Sequence, residues 1–281
     1  MKSFITRFLF FAFLALLPAP LIILMNHHLS SRIDWRLPAQ KHIVFIGASL
    51  VAYGIDDSMT ESAINLANGG ERYMFTFLKL RKILENNAQI DTVFLECAPT
   101  DMFEHADDKY FRNNEMSEFY AKFYPLFGFE QWKLYKKNIP DAFSLIYRET
   151  IWDYIKGIDY RYFISDFPPH TRIMKKEAVH KELMDGEYGN EINYEYLRKI
   201  IQLCKDKHVK LYLLYTPVYK PEYLYDQEYY YDAYRKHFSD VELLDYSHFP
   251  IADDERYDTH HLNDNGAVTF TNEIKRRFHI K

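Results

Sequence analysis

Five short apolar runs, each cut off by a turn and separated by stretches of helical periodicity, constrain the fold of this chain most strongly. They are "HIVFIGAS" (42–49), "AINLANGG" (63–70), "DTVFLECAP" (91–99), "VKLYLLYTPVY" (209–219) and "VELLDYS" (241–247). A short continuous apolar run between turn signals is the pattern of a strand buried on both faces. Between the runs, Met74, Phe77, Leu78, Leu80, Ile83 and Leu84 recur at helical spacing. Tyr196, Leu197, Ile200, Ile201 and Cys204 do the same within a helix expected from about Asn193 to Lys207. "YYYDAYRKHF" (229–238) reads as helical. "NDNGAVTFTNEIKRRF" (263–278) reads as a final helix, with Asn263 or Asp264 as its N-cap. Strands alternating with helices predict a three-layer α/β fold: a parallel sheet of about five strands with helices on both faces. Sites in such sheets lie at the carboxyl ends of the strands. That rule puts Ser49, the Asn68-Gly69-Gly70 turn, the Ala98-Pro99-Thr100-Asp101 turn and Thr216-Pro217 on one rim.

The rhythm breaks between residues 102 and 190. This stretch is rich in aromatics and partly helical in pattern, and it reads as an insertion rising from the third strand. A segment of this length at a rim is either a cap and binding surface or a second layer of packing. The tyrosines from Tyr223 to Tyr234 are too irregular to form a repeat.

The N-terminus carries its own signal. Lys2 and Arg7 precede "FLFFAFLALLPAPLIILM", 18 uncharged residues from Phe8 to Met25. About 20 apolar residues cross a bilayer as a helix, and basic residues before the span favour the cytoplasmic side. Residues 1–25 are therefore expected to be a transmembrane signal-anchor, with a cleaved signal peptide as the alternative. Pro18 and Pro20 would kink such a helix without forbidding it. The polar stretch 26–40 reads as a linker, and 41–281 as the folded domain, which lies outside the cytoplasm in a bacterial periplasm or at the cell surface. His27 and His28 read as solvated linker residues rather than a metal pair.

A net charge of −5, with both signs mixed along 281 residues, gives no nucleic-acid-binding surface. Two cysteines, Cys97 and Cys204, are too few for a disulfide framework and read as small buried apolar residues. No Cys-x-x-Cys or His/Cys cluster suggests a metal, and no Gly-rich phosphate loop follows the first strand, which weighs against a flavodoxin-like cofactor-binding domain. No cofactor is expected. Aromatic residues make up 17% of the chain, most of them expected in the core, with some available to line a cleft.

The chemistry-bearing pattern is "RYDTHHLNDNGAVTF" (256–270). Asp258 and His261 stand three apart before the last helix, so one short loop delivers both side chains. A carboxylate that orients an imidazole, and an imidazole that takes a hydroxyl proton, make two parts of a hydrolytic triad. His260 competes with His261 for the base. Ser49, at the end of the first strand, supplies the candidate nucleophile. Glu96, at the end of the third, is either a site residue or a partner for Arg72 or Arg81.

Taken together, "GASL" after the first strand, a glycine turn after the second and "DTHHLNDNGA" before the last helix resemble the SGNH, or GDSL-like, hydrolase superfamily. The matching positions are Gly47, Ser49, Asp258, His261, Leu262, Asn263 and Gly266, and the resemblance runs from about His42 to Phe278 with the insertion unmatched. It implies a flavodoxin-like sheet and a Ser49–His261–Asp258 triad, with oxyanion or substrate contacts from Gly69, Gly70, Thr100 and Asp101. The chain departs from the family at Ala48, where an aspartate is usual, and after the third strand, where Thr100 and Asp101 replace an asparagine motif. Asp101 binds substrate or caps the following helix. The architecture also resembles the membrane-anchored branches that act in teichoic-acid D-alanylation and alginate acetylation. The resemblance implies a serine esterase or O-acyltransferase working on acylated envelope glycans or polymers. The other reading it leaves is a non-catalytic scaffold assisting a membrane-bound O-acyltransferase.

Overall fold

The computed structural model describes residues 2–102, 119–120, 122–135, 160–164, 171–174 and 191–281. Most of the expected insertion lies outside the described residues, and its role as a cap with it. The chain forms two compact units: residues 1–34 with 109–163, and residues 35–108 with 164–281.

The larger unit is the α/β domain. Strands β1 (Ile43–Ile46), β2 (Ala63–Asn65), β3 (Thr92–Glu96), β4 (Lys210–Tyr215) and β5 (Leu243–Asp245) form one sheet in the order β2-β1-β3-β4-β5. Every pairing is parallel. This is the flavodoxin-like order, and its switch point falls between β1 and β3, on either side of the first strand's end. The sheet is so apolar because both faces are covered. Side chains alternate along each strand, so Phe45, Phe94 and Tyr212, which share one register row, point to the same face. Phe45 and Phe94 stack at 4.7 Å, Phe94 and Tyr212 at 5.2 Å. Phe278, at the end of the last helix, meets Phe94 edge-on at 4.9 Å. Leu214, Leu244, Phe270 and Ile274 complete this core layer. The opposite row, with Val44, Val93, Ile46, Leu95 and Leu213, is fully buried as well.

Helices α3 (Ser49–Gly54), α4 (Tyr73–Asn86), α5 (Pro99–Met102), α7 (Glu191–Asp206), α8 (Pro221–Leu224), α9 (Gln227–His237) and α10 (Asp264–Phe278) belong to this unit. Helices α3 and α10 pack together on the Phe45 face, and α4 packs along α7 on the other. Asn263 is the N-cap of α10: its side chain accepts from the N–H groups of Asn265 and Gly266. Both cysteines are free and buried, as expected.

In the smaller unit, the apolar run expected to cross a membrane as one helix is instead two: α1 (Lys2–Leu16) and α2 (Pro18–Ser30). No helix among the described residues is long and apolar enough to cross a membrane. Proline explains the break. Neither Pro18 nor Pro20 has an N–H to donate to the preceding turn, and the Leu21 N–H to Leu17 carbonyl contact is stretched to 3.5 Å. Phe4, Phe8, Leu9, Phe10, Phe11 and Phe13 of α1 are all exposed. The stretch expected as a linker is structured over much of its length. Residues 26–30 continue α2, where His27 Nδ1 lies 3.1 Å from the Pro125 carbonyl and the Ser30 hydroxyl donates to the same oxygen. In the larger unit, Trp35 and Leu37 are buried. Their backbone is pinned by Asn87, which accepts from the Leu37 N–H and donates to the Trp35 carbonyl. Helix α6 (Phe129–Tyr135) follows a 3-10 turn at Tyr124–Leu126, and Trp132 meets the rings of Tyr124 and Phe127 edge-on.

Candidate active site

Strand β1 ends at Ile46 and the chain turns sharply through Gly47, whose φ is 141°. Only glycine takes that conformation without strain. Space forbids a side chain as well: a Cβ on Gly47 would lie 2.3 Å from the Cβ of Glu96. The turn delivers Ser49 as the first residue of α3. A rigid, buried strand thus ends in a half-exposed hydroxyl.

The loop before α10 delivers the partners. His261 Nε2 lies 2.9 Å from Ser49 Oγ. His261 Nδ1 lies 2.9 and 3.0 Å from the two carboxylate oxygens of Asp258. Asp258 Oδ1 also accepts the backbone N–H groups of His260 at 2.7 Å and His261 at 2.8 Å. Burial favours the neutral acid, but the hydrogen bond and charge of His261 and the two backbone N–H groups outweigh it and hold the Asp258 carboxyl down at about 2. An ionised carboxylate can only accept, so Nδ1 carries the proton and Nε2 is free to take the serine proton. The ring of Tyr53 packs edge-on against His261 at 5.4 Å. The loop is closed by an antiparallel bridge between Arg256 and Leu262 and by the Tyr257 N–H donating to the His261 carbonyl. Gly266 is required behind it, because a Cβ there would come 2.1 Å from the Glu255 carbonyl oxygen.

Between the two neighbouring histidines the geometry separates the roles. His260 turns away: its Nδ1 lies 3.0 Å from the Thr259 hydroxyl, and its ring packs edge-on against Tyr225. Of the other expected site residues, Gly69 and Gly70 form the turn after β2, closed by the Glu71 N–H to the Asn68 carbonyl, with Gly70 at φ 75°. The Asn68 N–H donates to the Gly47 carbonyl at 2.9 Å, so this turn is fastened beside the turn that carries Ser49. Asp101 is buried within α5, and its carboxylate accepts the Ala98 N–H at 2.9 Å at the start of that helix. Asn193 of α7 holds the Asp101 carbonyl. Thr100 lies half-buried in α5.

Glu96 has a place in the site that its sequence context leaves undecided. It is almost fully buried and accepts the Val51 N–H at 2.8 Å, two residues past Ser49. Burial, then the nearby Asp101 charge, raise its pKa, against the hydrogen bonds from Val51 and Ala48 and the Arg72 charge. The one hint in the sequence is an acid closing an otherwise apolar strand. Below the glycine turn lies a second buried acid, Glu71, paired with Lys79 at 2.6 Å. Lys79 also donates to the Leu66 carbonyl and Glu71 accepts from Thr76. Among the described residues, no group of three or more His, Cys, Asp or Glu side chains is arranged to hold a metal ion.

A protein-family model that carries no descriptive name matches residues 161–280, the part that contains Asp258 and His261. No curated protein matches the chain. Two solved structures are similar over nearly its whole length at low identity. One is a Streptococcus pneumonia protein provisionally described as a platelet activating factor, with 14% identity, 99% of each chain covered and a TM-score of 0.42. The other is a Bacteroides fragilis protein provisionally described as an acylhydrolase, with 12% identity, 90% of this chain and 92% of that one covered and a TM-score of 0.43.

Proposed function

We propose that this chain is an SGNH-like serine esterase or O-acyltransferase, with Ser49 as nucleophile, His261 as general base and Asp258 as the group that orients His261. The observation that carries the reading is the unbroken chain of contacts from Asp258 through both nitrogens of His261 to Ser49 Oγ. As Ser49 Oγ attacks an ester carbonyl, its proton passes to His261 Nε2, and the Asp258 carboxylate stabilises the imidazolium. The backbone N–H groups of Ser49 and of the Gly69-Gly70 turn are the donors proposed for the developing oxyanion. Collapse breaks the ester C–O bond, His261 returns the proton to the departing alcohol, and an acyl group remains on Ser49. Water or a second hydroxyl, deprotonated by His261, then takes the acyl group, the acyl–Oγ bond breaks, and His261 returns the proton to Ser49 Oγ.

The substrate proposed is an acylated envelope glycan or polymer, reached from a membrane attachment at the N-terminus. The exposed Phe4, Phe8, Leu9, Phe10, Phe11 and Phe13 of α1 support that attachment, since so dense an apolar helix surface is otherwise buried in protein or lipid. The full chain should hydrolyse 4-nitrophenyl acetate, and Ser49→Ala should reduce turnover to the buffer rate. Wild-type turnover unchanged by Ser49→Ala would refute the catalytic assignment. The lack of an asparagine after β3 favours the second reading, a scaffold that assists a membrane-bound O-acyltransferase, and that reading requires no Ser49-dependent turnover at all.

A further inference from the structure

Beside the catalytic loop lies a cavity of about 250 Å³, at the carboxyl ends of β4 and β5, whose lining includes Tyr219, Lys220, Glu222, His248, Asp253 and Arg256. Arg256 is its unusual member. Only 6% of the residue is exposed, yet its Nε has no hydrogen-bond partner. Its guanidinium makes no ion pair within 4 Å among the described residues. Burial, the largest influence on it, works against its charge, with Asp253 acting the other way. Neighbouring Glu255 spends its carboxylate on the Ala252 N–H and the Thr269 hydroxyl. The guanidinium lies over the Tyr219 ring at 5.6 Å, and the Lys220 ammonium lies 5.2 Å from the same ring. Stacking occupies the guanidinium's face and leaves its in-plane donors unused. A buried cation with a free planar fork matches an oxyanion, carboxylate or phosphate, which can accept two parallel hydrogen bonds. Exposed Glu222 and half-buried Asp253 are the acids on the wall, and exposed Lys220 balances one of them at the rim.

The cavity is built into the same loop as the acid and base. The Tyr219 N–H donates to the Thr259 carbonyl at 2.9 Å, and Arg256 pairs with Leu262 across the turn that holds Asp258 and His261. We infer that this cavity is a subsite for an anionic group, carboxylate or phosphate, on the ester substrate, with Arg256 as its principal ligand and Lys220 as its outer cation. The inference rests on the catalytic reading of Ser49.

The test uses the full chain with two esters that differ in one charge, phenyl acetate and 4-acetoxybenzoate, together with calorimetric titration of inorganic phosphate. Arg256→Gln should raise KM for 4-acetoxybenzoate about tenfold more than KM for phenyl acetate, and weaken phosphate binding by a similar factor. Arg256→Lys should recover part of that binding. Lys220→Gln, at the exposed rim, should give a smaller loss that disappears at high salt. Phosphate that binds equally to the wild type, Arg256→Gln and Lys220→Gln would overturn the subsite, as would a wild type that binds none. If no ester shows Ser49-dependent turnover, the catalytic reading fails, and the phosphate titration still decides whether the cavity binds an oxyanion.

Discussion

His261 Nε2 and Ser49 Oγ meet at 2.9 Å across 212 residues of sequence. They meet because the end of β1 and the loop before α10 come together on the carboxyl rim of a parallel sheet. Asp258 is three residues from His261 and needs only a local turn to reach it. Replacing it with asparagine would keep the shape and lose the ionised acceptor that fixes the proton on Nδ1. Asp258→Asn should lower kcat by about a thousand- to ten-thousand-fold with little change in KM, measured on any ester the wild type turns over.

The same substitution should alter acid stability. The folded Asp258 carboxyl titrates at about 2, below its ordinary 3.8. A depressed folded pKa contributes stability above the unfolded value, and that contribution is lost as pH falls towards the folded one. Melting temperature measured from pH 5 to pH 2 should therefore fall more steeply in the wild type than in Asp258→Asn.

Glu96 behaves in the opposite sense. Burial raises its pKa, and that of Asp101 beside it. A folded state that holds a proton the unfolded state has released loses stability as pH rises through that interval. Glu96→Gln keeps an acceptor for the Val51 N–H and removes the titration. Its melting temperature should gain on the wild type as pH increases from about 5 to 9. Parallel curves would mean that Glu96 carries no excess proton.

At Gly47, positive φ and the close approach of Glu96 act together. Backbone strain and overpacking each cost on the order of 1–3 kcal/mol, so Gly47→Ala should destabilise the domain by about 2–6 kcal/mol in urea unfolding. Activity should fall further than stability, because the same turn aims Ser49.

The buried Glu71–Lys79 pair holds the base of the Gly69-Gly70 turn. Lys79→Met would strand a buried carboxylate and should cost about 3–5 kcal/mol, whereas the double change Glu71→Leu with Lys79→Met should cost much less. Equal costs in the two variants would show that the charge pairing is not what holds the turn.

The architecture was legible because the central strands β1, β3 and β4 are largely buried on both faces and so appear as nearly continuous apolar runs. The Asp258–His261 pair was legible because it is local. Ser49 became a candidate only in company with that pair, since a small residue and a serine after a strand describe many ordinary turns. The support beneath Ser49 was less open to reading: Glu96 sits in an apolar strand, and its contact with Val51 exists only once two distant segments pair. Arg256 gave no signal, because its burial with an unpartnered Nε is a fact of three dimensions. Hydropathy marked 8–25 as one apolar run, but hydropathy does not register the two missing proline donors that divide it into α1 and α2.

The most direct test is covalent. The full chain is treated with a fluorophosphonate ester and the adduct is located by peptide mass. The account predicts one phosphonyl group on the peptide bearing Ser49, absent from Ser49→Ala and formed at least a hundredfold more slowly in His261→Ala. An adduct on another residue, or none on a wild-type chain that melts cooperatively, would contradict it.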